Sequence, residues 1–403
     1  MGGRVRSRGA HRKFDSRLIV AAALRPGNAI TLLRNGEEYF PALEAAIQKA
    51  QRDVYLETYI FADDESGRRI ADALARAVAR GVQTRVLVDG FGSHDLAGNL
   101  LEDMRTRGVE VQIFRPEVAR FRFRRHRLRR LHRKIAVVDG AVAFVGGINI
   151  IDDINTPHQI PPRYDYAVRI EGPLLADIHA VVVRLWRQMR WNNLRRGGLL
   201  QRPPPPVVMP VGDKTAIFLI RDNFRHRRDI EEAYLTALEA ARDEIVIANA
   251  YFLPGLRFRH ALTDAAARGV RVVLLLQGRV EYFLLHYATR ALYGSLLAGG
   301  VDIFEYRKCF LHAKVAVVDR EWATVGSSNI DPFSLMLARE ANVVITDRGF
   351  AGELRESLHK AMEEGAVPVG ARWKNRSLLD RVLTWSCYGL VRFLMGIFGY
   401  AQR

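Results

Sequence analysis

The sequence predicts an α/β protein made of two homologous domains, each a mixed sheet flanked by helices, related by a pseudo-twofold axis and sharing one active site. Two observations carry this reading. The signature His132-Arg133-Lys134, followed by Asp139, Gly146 and Asn149, returns as His312-Ala313-Lys314, followed by Asp319, Gly326 and Asn329, at identical spacing. Aligned without gaps, residues 132–149 and 312–329 agree at 10 of 18 positions, including every polar residue suited to chemistry. In addition, Val- and Ile-rich runs alternate with Ala/Arg/Leu stretches of helical period, the pattern of sheets covered by helices.

The elements follow in order. Residues 1–27 form a basic N-terminal segment, with Arg4, Arg6, Arg8, Arg12 and Lys13 ahead of the short apolar run 18–24. Arg25-Pro26 interrupts that run and no small-residue cleavage site ends it, so it reads as a membrane-leaning segment rather than a secretory signal. The first domain spans 28–194. It has a strand at 54–61, a helix over 70–80 that ends at Gly81, and a strand at 82–88. The second spans 214–375 and repeats these as 245–252, 261–268 and 270–276, about 180–190 residues later, which marks a duplication. Between them lies a linker at 195–213, whose proline run 203–206 fits neither helix nor central strand. Residues 376–403 form an amphipathic tail. Arg381, Arg392 and Arg403, spaced by 11, fall on one stripe of a helix otherwise rich in Trp385, Tyr388, Phe393, Leu394, Met395, Ile397 and Phe398, as expected of a helix lying in a membrane interface. Residues 282–287 are apolar enough for a second membrane contact but read better as a core helix.

Composition narrows the partners. Lys plus Arg minus Asp plus Glu gives 61 − 44 = +17, a charge that favours polyanions. Eight arginines crowd 120–133, directly before the first signature, either as a solvated face or to steer anionic headgroups. Only Cys309 and Cys387 are present, which argues against a disulfide framework. No stretch reaches the roughly 20 apolar residues of a transmembrane helix.

Each signature sits on a strand, turn and return strand, so His and Lys, two residues apart, face the same side. Imidazole serves as nucleophile when neutral and as acid when protonated, Lys neutralises a phosphoryl oxygen, and Gly with Asn admits and orients an anion. With no carboxylate cluster for Mg²⁺ and no His/Cys set for Zn²⁺, the reading is phosphoryl transfer with protein cations in place of a metal, and no cofactor is expected.

These residues match the H-x-K-x4-D pattern with trailing G and N of the phospholipase D superfamily, twice and completely. The resemblance covers most of residues 28–375, including Leu-Glu-Thr-Tyr-Ile-Phe, Gly-Gly-Ile-Asn and Leu-His-Ala-Lys-Val-Ala-Val-Val-Asp. It is strongest to bacterial cardiolipin synthases of the type without N-terminal transmembrane helices. The resemblance implies a peripheral enzyme on the cytoplasmic face of the inner membrane that makes cardiolipin from phosphatidylglycerol. It further implies a phosphohistidine, assigned here to His132 with His312 as acid and base although the sequence leaves the reverse assignment open, and phosphate held by Lys134 and Lys314 with Asn149 and Asn329. Glu340 and Asp165 are the carboxylate partners of the histidines. Asp139 and Asp319 complete the catalytic signature, more as anchors of the frame than as substrate contacts. Glu57 and Tyr59 are candidates for the pocket rim. Ser327 stands where the first copy has Gly147, a departure common in the family. A hydrolytic phospholipase D is the alternative; a nuclease is less favoured, since nucleases of this superfamily tend to be short single-signature dimers, and nucleic acid is not the expected partner. The sequence leaves the oligomeric state open.

Overall fold

A computed structural model describes residues 24–93, 99–115, 129–156, 160–192, 206, 209–222, 226–331, 338–370, 373 and 376–397. Most of the basic N-terminal segment, of the linker and of the Arg-rich run, together with Phe398 and Arg403, lie outside them.

The first half runs β1 (Arg25–Arg34), α1 (Asn35–Lys49), β2 (Asp53–Thr58), α2 (Glu65–Ala79), β3 (Gln83–Asp89), α3 (Asn99–Thr106), β4 (Glu110–Phe114), β5 (Arg130–Leu131), β6 (Lys134–Val138), β7 (Val142–Gly146), β8 (Arg163–Tyr164), β9 (Tyr166–Glu171) and α4 (Leu175–Asn192). The second half runs β10 (Lys214–Arg221), α5 (Asp229–Ala240), β11 (Glu244–Asn249), α6 (Leu256–Ala267), β12 (Arg271–Gln277), α7 (Phe283–Ala291), α8 (Tyr293–Ala298), β13 (Val301–Tyr306), β14 (Phe310–Leu311), β15 (Lys314–Val318), β16 (Trp322–Gly326), β17 (Ala338–Thr346), α9 (Arg348–Gly365), β18 (Ala366–Pro368) and α10 (Leu378–Ile397). The first domain's leading strand thus begins at Arg25, ahead of the boundary expected at 28.

The strand order is β18-β13-β12-β11-β15-β16-β17-β10-β1-β9-β7-β6-β2-β3-β4, nearly a palindrome about the antiparallel β10–β1 pair. That palindrome is the pseudo-twofold relation written in hydrogen bonds. In each half two parallel crossovers (β2-β3-β4 and β11-β12-β13) sit beside an antiparallel hairpin (β6-β7 and β15-β16). Continuous burial of Lys134–Val138 and Lys314–Val318 explains why these strands are apolar runs rather than alternating ones.

Three apolar clusters make the core. One under α1 to α3 belongs to the first half, and one under α5 to α8 and α10 to the second. The third, on the opposite face beneath α4 and α9, draws side chains from both halves, including Val137, Val145, Trp186, Val315, Val325 and Phe350. The halves are therefore fused by a common core as well as by a shared sheet. Cys309 and Cys387 are free and buried.

The tail departs from a helix lying free on a surface. α10 is docked on the second half through Thr384, Cys387, Val391 and Met395, all buried, while Leu378, Leu379, Val382, Trp385 and Phe393 stay exposed beside Arg381 and Arg392. The apolar stretch around 282–287 is likewise only partly a core helix, because Tyr282 and Phe283 at its start are more than half exposed. Among the described residues no helix is long and apolar enough to cross a membrane.

Candidate active site

The chemistry begins where β6 and β15 begin. His132 and His312 each follow a two-residue strand that pairs, in parallel, with the opposite half: β5 with β17 and β14 with β8. The His132 N–H donates to Arg339 C=O at 3.0 Å, and the His312 N–H donates to Tyr164 C=O at 2.8 Å. Since Arg339 precedes Glu340 and Tyr164 precedes Asp165, this exchange puts a carboxylate from each half beside the imidazole of the other. His132 Nδ1 lies 2.9 and 3.1 Å from the Glu340 oxygens, and His312 Nδ1 lies 2.6 Å from Asp165 Oδ2. Neither half holds a complete site.

With Nδ1 bound to a carboxylate, each ring is fixed in orientation and keeps Nε2 for substrate, the arrangement that raises imidazole basicity in catalytic dyads and triads. The lysines sit inside this frame. Lys134 Nζ donates to His132 C=O at 2.6 Å, and Lys314 Nζ donates to His312 C=O and lies 3.4 Å from Asp165 Oδ2 and 2.7 Å from His312 Nδ1. Their side chains are almost fully buried, with Lys314 at 0% exposure. Burial, opposed by Glu340, pushes the Lys134 ammonium down to about 7; burial, opposed by Asp165, takes Lys314 to about 8. His132 is lowered by burial, and His312 falls well below the usual imidazole range because Lys314 adds to burial. Burial raises the Asp165 carboxyl against the pull of Lys314. A buried cluster short of negative charge is prepared for an anion.

Asn149 and Asn329 follow the return strands, both 3% exposed. Asn149 Oδ1 accepts from Ile60 N–H at 3.1 Å, whereas the buried Asn329 Oδ1 has no partner among the described residues. Tyr59 lies at the site, its ring 4.9 Å from that of His132 and 5.5 Å from Lys134 Nζ.

Asp139 and Asp319, carried in the catalytic signature but expected more as anchors of the frame, lie apart from the reacting groups, and Glu57 departs from its expected place. The two aspartates sit at the far ends of β6 and β15, where Asp139 accepts from the N–H groups of Gln51, Arg52 and Asp53 and Asp319 from those of Arg242, Asp243 and Glu244, at 2.7–3.0 Å. Their φ values of 53° and 52° lie in the left-handed region that Asp tolerates, so each both turns the hairpin and ties it to the next strand. Glu57 is not a rim residue. It is 3% exposed and paired with buried Arg133, one residue out of phase with His132 and Lys134 and hence on the other face of β6.

Sequence reasoning missed Arg163, whose guanidinium lies 5.4 Å from the Phe310 ring and which helps depress His312, and Glu281 and Gln277 at the end of β12. No spacing rule points to them, because they have no chemical counterpart in the first half. Among the described residues no group of three or more His, Cys, Asp or Glu is placed to hold a metal ion.

Two imidazoles backed by carboxylates, with two lysines between, on a duplicated α/β frame define an enzyme of the phospholipase D superfamily. The family described as "Cardiolipin synthase, PLD-like domain" matches residues 43–177 and 234–362, and the chain belongs to it. It is 41% identical to cardiolipin synthase B of Escherichia coli K12 over 366 residues, covering 90% of this chain and 86% of that protein. A probable cardiolipin synthase of Bacillus subtilis is 31% identical over 87% of this chain and 69% of its own length. The crystal structure of phosphatidylserine synthase from Haemophilus influenzae shares the fold, with a TM-score of 0.66 over 90% of this chain and 93% of that one at 15% identity.

Proposed function

We propose that the protein is a phosphatidyltransferase that makes cardiolipin from phosphatidylglycerol and a second phospholipid. The observation that carries this is the reciprocal pairing of His132 with Glu340 and His312 with Asp165 around two buried lysines, in a chain so similar to cardiolipin synthases over nearly its whole length.

In this reading His132 Nε2 attacks phosphorus. A P–N bond forms, the P–O bond to the headgroup alcohol breaks, and the departing oxygen takes its proton from His312. Lys134, Lys314 and the asparagine amides hold the phosphoryl oxygens. Burial and Lys314 hold His312 low, and the negative substrate, by offsetting the two lysines, raises it so that it takes a proton from solvent before transfer. The hydroxyl of the second lipid then gives its proton to His312 and attacks phosphorus, the P–N bond breaks, and His132 is released. Exclusion of water by the buried site favours transfer over hydrolysis.

The exposed apolar row on α10 with Arg381 and Arg392, the exposed Tyr282 and Phe283, and the charge of +17 support peripheral binding to an anionic membrane, on the cytoplasmic face of a bacterial inner membrane. Flotation with phosphatidylglycerol vesicles tests that part. Trp385→Asp with Phe393→Asp is expected to weaken binding by about tenfold or more, and unchanged flotation removes α10 from the membrane contact.

The main test is mass spectrometry of lipids formed when purified protein meets phosphatidylglycerol vesicles without added metal. Cardiolipin and glycerol are expected, reduced by about 10⁴-fold or more in His132→Ala and His312→Ala with far-UV circular dichroism unchanged. Phosphatidic acid alone reassigns the enzyme to hydrolysis, and full activity without either histidine rules out the mechanism. A covalent adduct trapped on His312 rather than His132 reverses the two roles.

A further inference from the structure

The two half-sites are not equally open. At the end of β3 the Asp89 carboxylate is fully occupied, accepting from the N–H groups of Phe91 at 2.9 Å, Gly92 at 3.2 Å and Leu131 at 2.8 Å. Four residues on, Ser93 Oγ accepts from Phe61 N–H at 3.0 Å and donates to Tyr59 C=O at 2.9 Å. The Tyr59 ring then fills the space against His132. In the second half the same count from β12 gives Gln277 and Glu281, and the counterpart of Tyr59 is Ala250.

That smaller side chain leaves a cleft between the ends of β11 and β12 and the start of α7, lined by Ala250, Tyr251, Gln277, Glu281, Tyr282 and His286 among others. Gln277 is 7% exposed, and its Oε1 accepts from Arg279 N–H at 3.4 Å, while its buried Nε2 has no partner among the described residues. A buried amide donor is costly to leave unmade, so the cleft calls for an acceptor atom. Glu281 accepts from the Tyr251 hydroxyl. It is exposed at the mouth of the cleft, while desolvation on its inner side pushes its carboxyl up to about 7, with Arg163 and Lys314 pulling the other way. The Ala250 N–H donates to the C=O of Ala313, between His312 and Lys314, at 2.9 Å, which sets the cleft beside the catalytic strand. Burial holds His286 down at about 4, so this imidazole is neutral.

We propose that this narrow cleft, with room for about one hydroxyl, receives the second headgroup hydroxyl of the lipid alcohol that enters or leaves at phosphorus, with Gln277 and Glu281 selecting a vicinal diol such as that of glycerol. The proposal rests on the transfer reading above. A hydroxyl accepts from the unmade Gln277 N–H and at the same time donates to Glu281, alongside the bond that Glu281 receives from Tyr251. An ammonium headgroup donates only, leaves the Gln277 N–H unmade, and meets Arg279 in the cleft wall, with the positive field of Arg163 and Lys314 behind it. Among the described residues the first half-site has no equivalent cradle, because Tyr59 and Ser93 occupy its place, so the preference is built on one side of a duplicated frame.

The experiment gives the full-length protein phosphatidylglycerol vesicles with isotopically labelled glycerol and 1-propanol as competing free acceptors. The readout is the ratio of labelled phosphatidylglycerol to phosphatidylpropanol. Wild type is expected to favour glycerol, and Gln277→Leu and Glu281→Gln each to lower the ratio about tenfold. Tyr251→Phe, which removes only the hydroxyl that holds Glu281, is expected to lower it less and serves if a core variant loses its circular dichroism spectrum. A ratio that does not move, including a parallel fall of both products, overturns the pocket. So does a preference for added ethanolamine that disappears in Glu281→Gln, which would make the cleft an ammonium site. Wild type that transfers to neither alcohol fails the transfer reading itself, a result separate from an active enzyme without selectivity.

Discussion

The His132 and His312 half-sites share a strand, a lysine, a turn aspartate and a carboxylate borrowed from across the axis, yet differ in how that carboxylate is held. Glu340 is fully buried and receives a hydrogen bond from Ser327 Oγ at 2.5 Å as well as contact with His132. Asp165 has Gly147 in place of the serine, accepts from its neighbour Tyr166 N–H at 2.8 Å, and carries both His312 and Lys314. A Cβ at Gly147 would stand 2.3 Å from Asp165 Oδ1. Glycine there is what lets the shorter carboxylate reach its histidine. Duplication supplied two equal sets of reacting groups, and divergence around them separated a half-site whose carboxylate serves one imidazole from a half-site whose carboxylate also steadies a lysine.

The largest expected effect tests that separation. Asp165→Asn and Glu340→Gln each remove the charge behind one histidine and are expected to lower kcat by about 10³–10⁴-fold, with Asp165→Asn the worse because it also frees Lys314. Equal loss in both would show that the Lys314 contact does not matter to turnover. Next come the reciprocal changes Gly147→Ser and Ser327→Gly. The first displaces the Asp165 carboxylate and is expected to cost about 10²-fold in kcat, while the second removes one hydrogen bond from Glu340 and costs about tenfold or less. If both behave alike, the glycine is not the reason for the asymmetry.

The smallest effect is on stability and carries the opposite sign. Lys134 sits at about 7 in the folded protein against 10.5 unfolded, so between these values the unfolded chain binds more protons. The penalty for burying this cation is fully present below about 7 and recedes as pH rises towards 10.5. Lys134→Met is therefore expected to abolish useful activity yet raise Tm by about 2–4 °C at neutral pH, with the gain shrinking by pH 10. A Tm that falls, or a gain that persists at high pH, means the lysine is stabilised by its carboxylates beyond the cost of its burial. The same titration gives a kinetic sign: kcat/KM, which reports the free enzyme, should fall as pH rises through 7 to 8 and Lys134 and Lys314 lose their charge.

What was legible beforehand has a clear physical basis. Paired signatures, period-two placement of His and Lys, apolar runs and the helix-ending glycines are local patterns, and local patterns fix the duplicated α/β frame and the reacting side chains. Asp139 was legible as part of the signature and as an anchor of the frame, but the N–H groups of Gln51, Arg52 and Asp53 that it holds were not, because a five-residue strand from Lys134 to Val138 carries it to the other end of the sheet. Glu57 misled for a related reason. An acid at a strand end beside an aromatic suggests a rim, and only the pairing of Arg133 with it places it in the interior.

The sequence by itself determined the fold class, the internal repeat and the identities of the histidines and lysines, since these depend on spacing within about twenty residues or on repetition. The carboxylates Glu340 and Asp165, by contrast, are implied by the family resemblance alone. Tertiary structure alone decided that β1 and β10 join the halves into one sheet, that β5 and β14 cross over so each histidine meets the other half's carboxylate, that α10 docks one face and leaves another exposed, and that Ala250 opens a cleft where Tyr59 closes one. Those outcomes depend on contacts between residues up to about two hundred positions apart, where the winning arrangement is set by shape and by buried polar groups finding partners, which no local pattern encodes.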